Sequence, residues 1–459
     1  MNSEVASIRF LGAVGTVTGS KFLFQALGKN VLIDCGLFQG IKELRLRNWE
    51  SLPPEAAHID AVLLTHGHLD HTGYLPRLVK SGFSGEIFGT EPTLEIAEII
   101  LKDSARLQEE DAEAANKHGY SKHSPALPLY DSEDVEKTIS HFRKQTLDAP
   151  FELFPGIRVR FFYAGHILGA SSIEIRVKNK TFVFSGDLGR KEDPLLFPPK
   201  KPKQADVVLI ESTYGNRIHS EDSAGKLVSL INEFHRKNGT IVIPSFAVER
   251  TQLLMYLLWK LRTEERIPSI PIYMDSPMGQ HILEVFRRAG EGWHKLNRDD
   301  LEKICEQIRI VQRPDESRRI SALKEPKIVI AGSGMVTGGR VLTYLEETLK
   351  DKNSLILLAG YQAEGTRGRQ LWEGKKEIKI RGKWHPVLCS VDMIEGFSAH
   401  ADQGELLDWL SELKGTQPKI FVVHGEKDGA EGLKKKIETE YSWAVEVPEY
   451  NQVETVSLD

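Results

Sequence analysis

The segment His66-Gly67-His68-Leu69-Asp70-His71, leaving directly from the apolar run Ile59–Thr65, constrains this chain more than any other. One tight loop at a strand exit delivers three imidazoles and a carboxylate, enough to serve two metal ions at once. His66 and His68 alternate and can grip one ion, while Asp70 and His71 can turn towards a second. Two adjacent metals are what hydrolysis of an unactivated phosphate or acyl bond needs, because they generate hydroxide near neutral pH and absorb developing charge. A fold that uses this loop must carry further ligands to it from elsewhere in the chain.

The chain supplies them in matching contexts. His166 follows the run Val159–Tyr163, Asp187 follows Thr181–Phe184, and His424 follows Ile420–Val423, each beside glycine. The exit of a short β-branched run is the position from which side chains converge on one rim of a sheet sandwich. Any one of these residues alone reads as a hydrogen-bonded loop side chain. Together with the first motif they read as ligands.

At 459 residues the chain exceeds one ordinary domain and can bury large cores. Hydrophobic content of 40% and charged content of 27% describe a soluble globular protein. A net charge of −5 argues against indiscriminate polyanion binding, so a grip on nucleic acid would have to be a local patch. No apolar run reaches membrane-spanning length, and Met1 opens no signal-peptide pattern. Cys35, Cys305 and Cys389 lie far apart, which leaves neither a disulfide framework nor a thiolate zinc site. The metal site must be built from His and Asp, and a reducing cytoplasm is the expected compartment.

Short strands and turns alternate first, at Ser7–Leu11, Lys21–Gln25, Val31–Asp34 and Ala61–Thr65. Between Thr93 and Phe142 the pattern turns helical and highly charged, in Leu94–Glu113 and Ser132–Arg143, which predicts a solvent-exposed helical excursion. Strands resume at Arg158–Tyr163, Ser172–Val177, Thr181–Phe184 and Val207–Ile210. From about Ser212, strands Thr240–Pro244, Ile270–Met274, Lys327–Ala331 and Leu355–Ala359 alternate with helices such as Arg250–Lys260 and Gly279–Arg288. That alternation is the sign of a parallel-sheet domain. The chain then returns through a helix, Gly404–Leu413, to the strand ending at His424. Because His424 belongs with ligands much earlier in the chain, the middle domain reads as an insertion. The expected domains are residues 1–211, 212–394 and 395–459, the first and last forming one unit and the substrate cleft lying between it and the insertion.

Two further groups look chemical. Glu211 ends the strand Val207–Ile210, and His400 lies in Gly-Phe-Ser-Ala-His-Ala-Asp before the last of these helices. A carboxylate that orients and charges an imidazole makes a competent general acid; by spacing alone, a salt-bridged structural Glu fits as well. The stretches Ala331–Arg340 and Ala359–Arg369 are dense in glycine and follow strands, so their amides can cradle phosphate or simply make tight turns. Neither holds a GxGxxG or a P-loop Lys, and no nucleotide cofactor is expected. A basic stretch follows, with Arg367, Arg369, Lys375, Lys376, Lys379, Arg381 and Lys383 interleaved with Trp372 and Trp384. Such a run is usually a solvated hairpin face; with a phosphodiester substrate it becomes a backbone track with stacking aromatics.

These residues resemble the metallo-β-lactamase superfamily, and within it the β-CASP nucleases, over essentially the whole chain. Asp34, the His66–His71 loop, His166 and Asp187 look like the four superfamily motifs, and Glu211, His400 and His424 look like the three β-CASP motifs. The segments Glu211–Gly215, Pro244–Gln252, Asp275–Gly279 and Gly360–Gly365 look typical too. The resemblance implies an α/β fold, an αββα sandwich with an inserted α/β cap domain, and two zinc ions, with manganese or iron as substitutes. It implies that His66, His68 and His166 hold one ion and Asp70, His71 and His424 the other, with Asp187 bridging and Asp34 fixing ligand orientation. Catalysis would rest on Asp70, Asp187, Glu211 and His400, with His400 as general acid on the departing ribose oxygen. Ser245, Arg250, Ser333, Gly334, Arg340, Arg367 and Ser398 are the expected substrate contacts.

A histidine at the last motif is associated with RNA-cleaving members, where the DNA-processing branch typically has valine, so His424 favours RNA. The chain starts almost at its first strand and stops at Asp459, which is similar to the compact prokaryotic relatives of the pre-mRNA 3′-end processing endonuclease subunit. The expected reaction is hydrolysis of RNA by in-line attack of hydroxide, leaving 5′-phosphate and 3′-hydroxyl ends. Endonuclease and 5′-to-3′ exonuclease action in RNA processing or decay both fit. A DNA-processing β-CASP nuclease and a small-molecule metallo-hydrolase are the alternatives. The expected partners are single-stranded RNA and a second copy of the chain, with no membrane.

Overall fold

Alternation along the first strand, Val5–Phe10, turns Ala6, Ile8 and Phe10 inward, and the same period shapes its neighbours. In the computed structural model, which describes residues 4–53, 58–119, 123–219, 222–290, 292–360 and 362–459, this strand belongs to a seven-stranded sheet. Tyr361 of the Gly360–Gly365 segment lies outside the described residues. The sheet runs in the order Val453–Ser457, Val5–Phe10, Phe22–Ala26, Lys29–Ile33, Ala61–Leu63, Glu86–Thr90, Phe142–Gln145. Its first four strands pair antiparallel and the rest parallel.

A second seven-stranded sheet faces it, in the order Val445–Glu446, Lys419–Val423, Val207–Glu211, Lys180–Phe184, Ser171–Val177, Ile157–Tyr163, Phe151–Phe154. Phe10, Phe24, Phe161, Phe182, Phe184 and Phe421 fill the space between the sheets as one apolar cluster. Helices cover the outer faces. Leu94, Leu101 and Val135 pack on Leu32, Val62 and Ile87 of the first sheet, and helix Lys427–Tyr441 lies against strand Lys419–Val423 of the second. The result is a four-layered αββα sandwich.

The chain divides into two compact units, Met1–Ile218 with His400–Asp459, and His219–Ala399. The second unit is built on a six-stranded parallel sheet, in the order Arg309–Ile310, Ile272–Asp275, Lys327–Ala331, Thr240–Pro244, Leu355–Leu358, Ser390–Met393. Continuous apolar runs such as Ile328–Ala331 are what a sheet buried on both faces requires. In the first unit, Lys419–Val423 pairs parallel with Val207–Glu211 across the whole intervening unit.

One expectation is corrected. The charged helical segment is not a solvent-exposed excursion. Helix Glu91–His118 buries Leu94, Ile96, Ala97, Ile100, Leu101 and Ala105 along one stripe, and its charges occupy the other side. The second helix also ends earlier, at Ser140, and Phe142–Gln145 becomes an edge strand. Among the described residues, no helix is long and apolar enough to cross a membrane.

Candidate metal centre

Most side chains of the centre leave strand ends, while Asp70 and His71 lie on the short helix Leu69–Thr72. Asp34 follows Lys29–Ile33 and His66 lies just beyond Ala61–Leu63, adjacent parallel strands of the first sheet. Asp187, Glu211 and His424 end three adjacent parallel strands of the second sheet. The carboxyl ends of parallel strands open one crevice, and the ligands meet there. Gly67 makes the first motif possible: a Cβ at that position would lie 2.6 Å from Ile96 Cγ2 of the covering helix.

Two ligand clusters result. In the first, His68 Nδ1 lies 3.1 Å from His66 Nε2 and 3.3 Å from His166 Nε2. Asp187 Oδ2 lies 3.6 Å from both of those Nε2 atoms. In the second, His71 Nε2 and His424 Nε2 are 3.1 Å apart, with Asp70 Oδ2 at 3.5 Å from His424 Nε2. Asp187 Oδ1 joins this second cluster, 3.4 Å from His71 Nε2 and 3.2 Å from His424 Nδ1. Asp187 thus faces one cluster with each of its two oxygens.

Orientation is set from behind. Asp34, at a φ of +58°, accepts hydrogen bonds from Thr65 N at 2.8 Å and Thr65 Oγ1 at 2.9 Å. Its Oδ2 lies 2.7 Å from His71 Nδ1, which leaves His71 Nε2 to point at the centre. Thr65 Oγ1 also lies 3.1 Å from His66 Nδ1 and does the same for that ring. Thr65 is a positioning residue absent from the sequence expectations; its only signal was its place between the strand and His66.

The chemistry of the donors also bears on a bound cation. Burial pushes the His66 pKa well down and that of His68 to about 4, so both rings are neutral and can donate lone pairs. Burial opposes charge on His71 as well, but the Asp187 and Asp34 carboxylates outweigh it and hold its pKa well above the ordinary value. Burial would raise Asp187, yet His424, His71 and His66 keep it well below the usual carboxylate range. Its buried Oδ1 accepts no aligned hydrogen bond. Ionised carboxylates, convergent ring nitrogens and an unsatisfied buried oxygen fit bound metal, and an imidazole-rich set suits a transition metal over magnesium.

A third group adjoins Asp187. Glu211 is fully buried, and its Oε1 accepts from Leu188 N at 2.8 Å while Oε2 accepts from Thr213 N at 3.1 Å. That same Oε1 lies 3.1 Å from His400 Nδ1, and His400 Nδ1 lies 4.0 Å from Asp187 Oδ2. Burial lowers the His400 pKa, but the charge and hydrogen bond of Glu211 outweigh it and raise the pKa above the ordinary value. The imidazole is 19% exposed and held at Nδ1 by the Glu211 carboxylate, which orients and charges the ring as a general acid requires.

The other expected substrate contacts lie in the second unit, engaged internally. Ser245 Oγ accepts from Thr251 Oγ1 at 3.1 Å, and Arg250 donates to Ala359 O. Ser333 Oγ accepts from Thr337 N at 3.0 Å, beside Gly334, closing the turn that precedes helix Val341–Thr348. Arg340 donates to Ser317 Oγ at 2.7 Å and pairs with Asp275 at 3.4 Å. Arg367 donates to the carbonyls of Val336, Thr337 and Lys379. Ser398 is buried.

Fold and site together define a metallo-hydrolase. Residues 19–244 match the Metallo-beta-lactamase superfamily, residues 251–371 the Beta-Casp domain, and residues 384–448 the Zn-dependent metallo-hydrolase RNA specificity domain. The chain is 34% identical to ribonuclease TTHA0252 of Thermus thermophilus, over 91% of this chain and 92% of that protein. It is 30% identical to the transcription termination factor FttA of Methanocaldococcus jannaschii, over 92% of this chain and 67% of that one. It is also 30% identical to cleavage and polyadenylation specificity factor 73 of Drosophila melanogaster, over 100% of this chain and 65% of the fly protein. A crystal structure of a protein of unknown function from Enterococcus faecalis shares the fold, with a TM-score of 0.56 at 14% identity, covering 98% of this chain and 100% of that one. The chain belongs to the metallo-β-lactamase superfamily, in its β-CASP branch.

Proposed function

We propose that this protein is a metal-dependent ribonuclease that hydrolyses single-stranded RNA to 5′-phosphate and 3′-hydroxyl ends, by internal cleavage and from 5′ ends. The observation that carries the reading is Asp187, whose two oxygens face two ligand clusters while the Glu211–His400 pair stands beside it. His66, His68 and His166 would hold one zinc ion, Asp70, His71 and His424 a second, with Asp187 between them. Manganese or iron suits the same donors. Metal held there would supply hydroxide near neutral pH and absorb charge developing on the phosphate.

The chain's own residues supply the rest. Asp34 and Thr65 aim His71 and His66. Glu211 holds His400 protonated and oriented, so His400 gives its proton to the departing 3′ oxygen. The ribose 2′-hydroxyl takes no part. The name of the 34% identical Thermus protein supports RNA as substrate. Cytoplasmic RNA processing or decay and a homodimeric state complete the proposal.

The test is cleavage of end-labelled RNA and of DNA of the same sequence by protein of measured metal content. Asp187→Asn should abolish cleavage, and His400→Ala should lower kcat by about 10²–10⁴-fold, the usual worth of a general acid. Faster cleavage of DNA, or full activity in Asp187→Asn, would refute the reading.

A further inference from the structure

The arginines and lysines of the basic stretch part ways in the structure. Arg369 pairs with Glu373, Arg381 with Glu346, and Arg367 is spent on backbone carbonyls. Lys375, Lys376, Lys379 and Lys383 form no ion pair among the described residues, and all four are exposed. They sit on or beside the antiparallel hairpin of Glu377–Ile380 and Lys383–Pro386. In a chain of net charge −5, residues 375–386 hold five cations and one carboxylate.

The hairpin is a rigid platform. Ile378 and Ile380 are buried in the apolar cluster of the second unit. Arg367 Nε donates to Lys379 O at 2.6 Å, and Val387 N donates to Lys376 O at 2.8 Å. On the opposite face Lys379 stands directly across from Trp384, an indole that is 61% exposed. Trp384 is the most exposed indole among the described residues. A flat ring beside an unpaired ammonium is what a single nucleotide needs, the base stacking and the phosphate meeting the charge. Lysine is depleted in protein–protein interfaces, which sets a protein partner behind RNA here.

We propose that this face, Trp384 and Lys379 with Lys375 and Lys376 beside them, is a binding site for single-stranded RNA; it rests on the ribonuclease reading above. One base stacks on Trp384, and the lysines neutralise the adjoining phosphates.

The experiment measures KM and kcat for a long single-stranded RNA at several salt concentrations, together with binding of the same labelled RNA by fluorescence anisotropy. The variants are Trp384→Ala, Trp384→Phe and the triple Lys375→Ala/Lys376→Ala/Lys379→Ala. The first and third should raise KM and Kd about tenfold with kcat unchanged, as loss of one stacked base or a few phosphate contacts does. Trp384→Phe should recover most of the loss. The triple variant should also flatten the slope of log K against log salt by about 2, near 0.7 for each charge removed. Wild-type cleavage with KM, Kd and salt slope unchanged in every variant would overturn the site and leave the ribonuclease reading standing. Failure of the wild type to cleave RNA would overturn that reading, and the anisotropy arm would still decide the site. A shift in mass by light scattering without loss of RNA affinity would assign the face to a second copy and overturn the proposal.

Discussion

Lys21 offers a test of how tightly the structure behind the metal loop is closed. It immediately precedes strand Phe22–Ala26, beside Ser20, whose amide donates to Asp70 O at 2.8 Å, so it adjoins the support of the candidate metal loop. Its side chain is only 3% exposed, and its Nζ donates to Gly36 O at 2.5 Å and lies 4.6 Å and 4.9 Å from the ring centroids of Phe38 and Tyr74. Among the described residues no carboxylate pairs with it, and burial lowers its pKa from 10.5 to about 8. The folded state therefore binds fewer protons than the unfolded state between pH 8 and 10.5, so stability contributed at this site rises with pH across that window. The full difference is about 3 kcal/mol at 1.36 kcal/mol per pH unit, and about 2 kcal/mol of it falls between pH 7.5 and 10. Lys21→Met removes the titration and leaves the other groups in place. Urea unfolding of both proteins at pH 7.5 and pH 10 should then show the wild type gaining about 2 kcal/mol on the variant. A gap that does not change with pH would show the ammonium to be well solvated and would refute the packing argument.

Three other outcomes follow from the same geometry. Glu211→Gln keeps the acceptor for His400 but removes the charge that raises its pKa; because a general acid must be protonated, the alkaline limb of kcat should move to lower pH. Asp34→Asn should weaken metal retention about 10–100-fold in a chelator titration, since the oxygen 2.7 Å from His71 Nδ1 fixes that ring. Gly67→Ala should lower metal content, because its Cβ would lie 2.6 Å from Ile96 Cγ2 and 2.9 Å from Ile96 Cβ; unchanged metal content would show that the covering helix can give way.

The clustering of the candidate site was legible because its grammar is local: most of its residues stand near the exit of an apolar run beside glycine, and parallel pairing brings those exits to one edge. The layers around it were less so. In helix Glu91–His118 the many carboxylates mask an apolar stripe that packs on the first sheet. Phe142–Gln145 has no alternation to mark it as a strand, and only its neighbour Glu86–Thr90 makes it one. The pairing of Val453–Ser457 with Val5–Phe10 joins opposite ends of the chain, which no window of sequence displays. Nothing local marks Lys21 as buried, because Phe38 and Tyr74, which cover it, come from separate segments of the chain. Local pattern located the chemistry; long-range packing decided what holds it.

The most direct measurement is the fate of a circular single-stranded RNA incubated with the purified, metal-analysed protein, with the product ends mapped chemically. Two metals per chain, opening of the circle, and products carrying 5′-phosphate and 3′-hydroxyl ends are the predicted result. Products ending in 2′,3′-cyclic phosphate would contradict the account, because the ribose 2′-hydroxyl would then be the nucleophile and the centre built around Asp187 would not be supplying it.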